Sequence, residues 1–159
     1  MPKQKIIDLL YELMKNSKRS DREIAKAVKV SQPTATRMRR SLEKSGYIRE
    51  YTVIPELEKI GFEIAALNFL SANLTPEQMK EIQDWILKNP KILFTTFGEG
   101  FGGKTLLLVS VHNDFTDFSA FSRELKGLFG LKVSSAESFL FSLKKDVVKH
   151  FSFKNLERL

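Results

Sequence analysis

The sequence predicts an α+β chain of two domains: three short helices and a ribbon, then a β-α-β-β-α-β unit. Three observations predict it. Two capped amphipathic segments flank a tight turn within residues 20–51. Apolar strand-like runs and helical periodicities alternate over residues 62–143. Positive charge gathers at one end. Residues 1–59 hold 14 Lys+Arg and 8 Asp+Glu, net +6, while residues 60–159 hold 12 and 11, net +1. A chain of 159 residues has room for two small domains, each with a modest core.

The first helix is predicted over residues 3–15. Ile6, Ile7, Leu9, Leu10, Leu13 and Met14 recur at three- and four-residue spacing, so they share one face. After a polar break at residues 16–19, Ser20 reads as an N-cap, with Glu23 completing a capping box. Ile24, Ala25 and Val28 point inward, and Ala25 is small enough for two helices to cross closely. Lys29 and Val30 make the turn. Glycine is common at such a turn, so Lys29 must either accept a left-handed backbone, at about 1 kcal/mol, or change the turn. Ser31 caps a third helix that runs to about Ser45. Pro33 lies in its first turn, where a missing N–H costs little, and Gly46 ends it.

On a helical wheel, Val30, Ala35, Met38 and Leu42 gather on one side of this third helix. Pro33, Thr36, Arg37, Arg40 and Lys44 gather on the other, with Arg39 on the flank and Glu43 between the faces. Guanidinium groups bind guanine O6 and N7, or phosphate, in bidentate fashion. Thr36 and Gln32 can bond base edges. The N-terminus capped by Ser31 offers N–H groups and a positive dipole end to a phosphate. Residues 47–54 alternate apolar and polar, which predicts a strand or short ribbon. Arg49 and Tyr51 would then touch the backbone as a wing, or the segment is a plain connecting strand. Residues 1–54 are thus predicted to be a winged helix-turn-helix that binds double-stranded DNA, and residues 55–61 a hinge ended by Gly61.

Beyond the hinge, residues 62–72 read as a strand. Residues 76–89 form a helix capped by Thr75 and stopped by Pro90, with Met79, Ile82, Trp85, Ile86 and Leu87 apolar. Strands follow at residues 91–97 and 104–112, joined by the glycine-dense GEGFGG. A helix over residues 114–129 carries Phe115, Phe118, Phe121, Leu125 and Leu128. The last strand spans residues 131–143, and residues 144–159 extend past the fold. This order is a ferredoxin-like split βαβ domain over residues 62–143. Phe139 and Phe141 share a strand face that could line a subunit interface. The tail could pack on a second copy or set its lysines on DNA.

The run EIAKAVKVSQPTATRMRRSLEKSGYIREYTVIPELEKIGFE resembles the DNA-binding domain of archaeal-type Lrp/AsnC (leucine-responsive, feast/famine) transcription regulators. The shared pattern is an EIA-type helix, a Ser-capped Arg-rich helix ending LE-x-x-G-x-I, a ribbon, and an Ile60-Gly61-Phe62 link. The later element order is similar to the family's effector domain. The resemblance implies a sequence-specific regulator acting as a homodimer, possible tetramer or octamer, in the cytoplasm on the nucleoid. It also implies a small effector such as an amino acid near the loop joining the middle strands, which makes Gly98, Glu99 and Gly100 candidates. That loop departs from the family's acidic pattern, since Glu99 is its one acid.

Other classes fit less well. The chain has no cysteine, which excludes disulfides, thiolate nucleophiles and zinc fingers. No apolar run is long enough for a membrane span, and the first residues do not read as a signal peptide. The two histidines, His112 and His150, form no metal spacing and no catalytic order, so no catalytic residue, metal or cofactor is assigned. A sirohaem decarboxylase-type enzyme of similar architecture is one alternative. A sequence-neutral architectural DNA binder is another, because phosphate contacts dominate affinity in both DNA-binding cases.

Overall fold

Helix caps set the frame of the N-terminal unit. The computed structural model describes residues 4–72, 74–129 and 133–156. Helix α1 spans Gln4–Lys15, α2 Asp21–Val28 and α3 Gln32–Lys44. The predicted starts at Lys3 and Leu131, and the side chain of Leu128, lie outside what is described. Both halves of the capping box before α2 are present: the Ser20 hydroxyl accepts from Glu23 N–H, and the Glu23 carboxylate accepts from Ser20 N–H at 2.7 Å.

Lys29 takes the left-handed backbone, with φ 56° and ψ 57°. Val30 N–H donates to Ala25 O at 2.9 Å and Lys29 N–H to Lys26 O at 3.3 Å, the paired bonds of a Schellman turn. Gly46 repeats the device after α3, at φ 72°, with Tyr47 N–H on Leu42 O and Gly46 N–H on Glu43 O. Leu9, Leu13, Ile24, Ala25, Val28, Ala35 and Leu42 form this unit's core.

The predicted ribbon over residues 47–54 is not formed. Tyr47 and Ile48 donate back to Leu42, and no ladder follows among the described residues. A strand needs a neighbour, and this stretch has none in its own unit. Its alternating apolar side chains Tyr47, Tyr51 and Val53 stay exposed.

The second unit is a four-stranded antiparallel sheet in the order β2-β3-β1-β4. Strands are β1 Ile64–Ala72, β2 Ile92–Phe97, β3 Leu106–His112 and β4 Val133–Ser142. The helices are α4 Pro76–Lys88 and α5 Phe115–Phe129. Leu70, Leu106 and Leu108 pack with Ile82, Ile86, Phe121 and Leu125 on the helix side. Leu87 and Phe115, among the apolar residues of their helices, are exposed, because each lies off the stripe that its helix buries.

The residues between those core positions point to the other face. Register places Phe94, Val109, Leu67 and Phe139 in one row across all four strands. Helices α4 and α5 pack on the opposite face and leave this apolar row uncovered within its own unit, with Phe94 and Phe139 55% and 62% exposed. No described helix is long and apolar enough to cross a membrane.

Compactness divides the chain differently from the predicted boundaries. Residues 4–54 group with residues 150–156, and residues 55–149 form the other unit. The predicted 55–61 hinge, which holds a 3-10 turn at Leu57–Ile60 closed by Gly61 at φ 101°, groups with the sheet unit. The predicted 144–159 extension is divided between the two units.

Candidate nucleic-acid interface

Helix α3 is capped by Ser31, whose hydroxyl accepts from Thr34 N–H at 3.4 Å and lies 2.8 Å from Thr34 Oγ1. Pro33 has no N–H, so capping leaves Gln32 N–H as the unbonded donor of the first turn. The phosphate cradle expected at this end is therefore narrower than the sequence suggested.

Gln32, Pro33, Thr36, Arg37 and Arg40 line one open depression of about 430 Å³. The structure thus brings five of the predicted residues together. Arg37, Arg40 and Lys44 are exposed, and their cationic groups have no hydrogen bond or ion pair among the described residues. They are free to meet an external anion.

Two predicted contacts are already engaged. Thr36 is half-buried and donates its hydroxyl to Asp21 Oδ2 at 2.6 Å. Arg39 is turned inward. Its Nη2 donates to Arg19 O at 3.0 Å, and its Nε sits 2.8 Å from Asp21 Oδ1 without the alignment of a hydrogen bond. Arg39, on the flank of the wheel, thus fastens α3 to α2. Asp21 is the residue that sequence reasoning missed. Its signal was its place in the first turn of α2, which the crossing at Ala25 brings against α3.

Past Gly46, Arg49 is exposed and without a partner among the described residues. Tyr51 donates its hydroxyl to Glu43 Oε1 at 3.0 Å. Partial burial, with the Glu43 carboxylate beside it, pushes the phenol above its ordinary range. Tyr51 therefore stays a neutral donor, held to the end of α3.

The field around this surface is strongly positive. The unit made of residues 1–54 and 150–159 holds 15 Lys+Arg and 7 Asp+Glu, net +8; residues 55–149 hold 11 and 12, net −1. A polyanion is drawn to the first unit and not to the second.

The other candidate region is the loop after β2. Gly98 N–H donates to Thr105 O and Lys104 N–H to Gly100 O. Phe101–Gly103 makes a 3-10 turn, with Gly100, Gly102 and Gly103 at φ 128°, 66° and 76°. Positive φ explains the glycines, so this is a shaped loop and not a two-residue turn. Glu99 is exposed. Lys104, not singled out by sequence, is buried with Nζ 2.9 Å from Glu137 Oε1.

A polar seam, buried from Asn68 to His112 and exposed at Ser138, was also missed. Ser138 donates to Asn68 Oδ1 at 2.8 Å, Asn68 Nδ2 reaches Ser110 Oγ at 3.0 Å, and Ser110 Oγ lies 2.9 Å from His112 Nε2. His112 is fully buried against Phe118 and Phe121, and burial holds its imidazole below the ordinary range.

Comparison with known proteins agrees with this geometry. The family described as winged helix-turn-helix DNA-binding matches residues 3–49. An uncharacterised HTH-type transcriptional regulator of Pyrococcus horikoshii is 26% identical over 138 residues, 87% of this chain and 90% of that protein. The HTH-type transcriptional regulator LrpC of Bacillus subtilis is 28% identical over 88 residues, 55% of this chain and 60% of that protein. Among solved structures, a Neisseria meningitidis transcriptional regulator in complex with L-Met superposes with TM-score 0.81 at 22% identity, covering 94% of each chain. That last likeness is one of fold.

Proposed function

We propose, taking as premise that this chain is an Lrp/AsnC-type transcription regulator with a helix-turn-helix DNA-binding domain, that it reads a pseudo-palindromic site as a homodimer. The observation that carries this reading is the α3 surface: exposed Arg37, Arg40 and Lys44 beside Gln32 and Pro33, on a unit of net +8. In this reading Arg37, Arg40 and Gln32 meet base edges. The N–H of Gln32 at the Ser31-capped end, together with Lys44 and Arg49, meets phosphates. Thr36 and Tyr51 hold neighbouring groups in place from Asp21 and Glu43.

The apolar row Phe94–Val109–Leu67–Phe139 supports association through the open sheet face. Two-fold pairing would set the half-sites about one helical turn, or a multiple, apart. The Neisseria protein was solved with L-Met, which supports an amino-acid effector here, with Gly98, Glu99 and Gly100 as candidate contacts. The protein would work in the cytoplasm, on the nucleoid.

Selection of bound duplexes from random DNA, with and without amino acids, tests the reading. An enriched palindrome is expected. Arg37→Ala or Arg40→Ala should cost about 1–3 kcal/mol on that site where the arginine reads a base. No enrichment, with equal losses on random duplex, would assign the chain to sequence-neutral packaging of DNA instead.

A further inference from the structure

We propose that the C-terminal segment, residues 144–156, is a second DNA-contacting element; this rests on the DNA-binding reading above. Three observations converge on it. Residues 150–156 belong to the same compact unit as the helix-turn-helix, and not to the sheet they follow in sequence. Residues 144–149 group with the sheet unit, and the segment as a whole is positively charged. Residues 144–156 hold four lysines against Asp146, net +3, whereas residues 60–143 hold 7 Lys+Arg and 9 Asp+Glu, net −2. The chain's excess positive charge therefore sits at its two ends.

The charged groups are also differently engaged. Lys144 pairs with Glu63, and Asp146 accepts from Ser142 N–H. The ammonium groups of Lys145, Lys149 and Lys154 have no partner among the described residues. Between these cations stand bare apolar groups. Phe151 and Phe153 meet edge to face at 5.1 Å and are 75% and 54% exposed, and Val148 is fully exposed.

A segment that interleaves free cations with exposed rings suits a surface that is anionic at its rim and apolar between. A duplex groove is such a surface: phosphates line it, and sugar and base edges accept apolar side chains. The helix-turn-helix unit of a second copy carries net +8 and would repel the same lysines, so charge favours DNA as the occupant.

The experiment uses the full chain and follows duplex binding by fluorescence anisotropy across about 50–200 mM salt. It compares the parent with K145S/K149S/K154S, F151S/F153S and R40A. If three phosphate contacts are lost, the slope of log affinity against log salt becomes shallower by about 2–3, and the parent loses about 40-fold more affinity than the lysine variant over that range. The Phe variant should weaken binding to a long duplex more than to one trimmed to the α3 contact. An unchanged slope and Kd in both tail variants, while R40A still loses binding, would overturn the tail contact and leave the regulator reading standing. Altered sedimentation of F151S/F153S with unaltered DNA curves would assign the tail to a second copy and likewise overturn it. A parent that binds no duplex at all would sink both readings together.

Discussion

Replacing Lys29 by glycine should stabilise the helix-turn-helix unit by about 0.5–1 kcal/mol. Among the described residues Lys29 is the one non-glycine at positive φ, deep in the left-handed region at φ 56° and ψ 57°. An L-residue there carries a steric cost of about 1–2 kcal/mol, which glycine avoids. Greater freedom of glycine in the unfolded chain returns about 0.4–1 kcal/mol of that gain. No contact is lost in exchange. Both Schellman bonds are made by backbone atoms, and the Lys29 side chain is exposed. Lys29→Ala keeps Cβ and so should gain nothing.

Denaturant unfolding can be read unit by unit. Tyr11, Tyr47 and Tyr51 all lie in the N-terminal unit, and the single tryptophan, Trp85, lies in the other. The tyrosine midpoint should rise in Lys29→Gly with unchanged slope, while the tryptophan transition stays where it was. An unchanged or lower tyrosine midpoint, or an equal gain in Lys29→Ala, would refute the reasoning.

Three further outcomes are expected. Asp21→Asn removes a carboxylate that holds both Thr36 and Arg39. It should lower the unit's stability by about 1 kcal/mol yet tighten binding to random duplex by anisotropy, because one anion leaves the DNA side; weaker non-specific binding would contradict this. Phe139→Glu places a charge in the open apolar row and should weaken self-association by about 10–100-fold in sedimentation equilibrium, from about 1.5–3 kcal/mol of lost burial. For His112, burial lowers the folded-state pKa below the usual 6.5. Below that pH the unfolded chain binds more protons than the folded one, so stability is complete above pH 6.5 and declines as pH falls beneath it. His112→Gln should flatten the tryptophan-detected slope between pH 7 and 5. Asp117, held low by Lys91, loses its contribution only below its own ordinary value of 3.8, outside that window.

Much of the N-terminal unit was legible because its signals are local. Ser20 with Glu23, Ser31 with Pro33, and Gly46 each announce a helix end by chemistry that needs no distant partner. The core side of α3 followed from periodicity alone. What was not legible was set by neighbours. Arg39 looks free on a wheel of its own helix, and only the crossing of α2 brings Asp21 to it. Residues 47–54 have the alternation of a strand, but alternation cannot supply the strand that must lie beside them. Asn68, Ser110 and Ser138 lie far apart in sequence, and antiparallel register turns them into one hydrogen-bonded seam.

That seam and the open face divide the labour of the sheet. On the helix side, Asn68, Ser110 and His112, with Ser138 bonded to Asn68 from β4, fix the register of β1 against β3, since a one-residue slip of either strand would send a buried polar group to the wrong face. On the other side, the row from Phe94 to Phe139 carries no such commitments and offers apolar area alone. A unit of net +8 repels its own copy in the absence of DNA, so pairing before the duplex is met needs an attraction located elsewhere. A nearly neutral domain with an uncovered apolar sheet is where that attraction can reside. In the proposed dimer, the separation of charge from apolar surface along this chain would let one end meet DNA while the other carries the association.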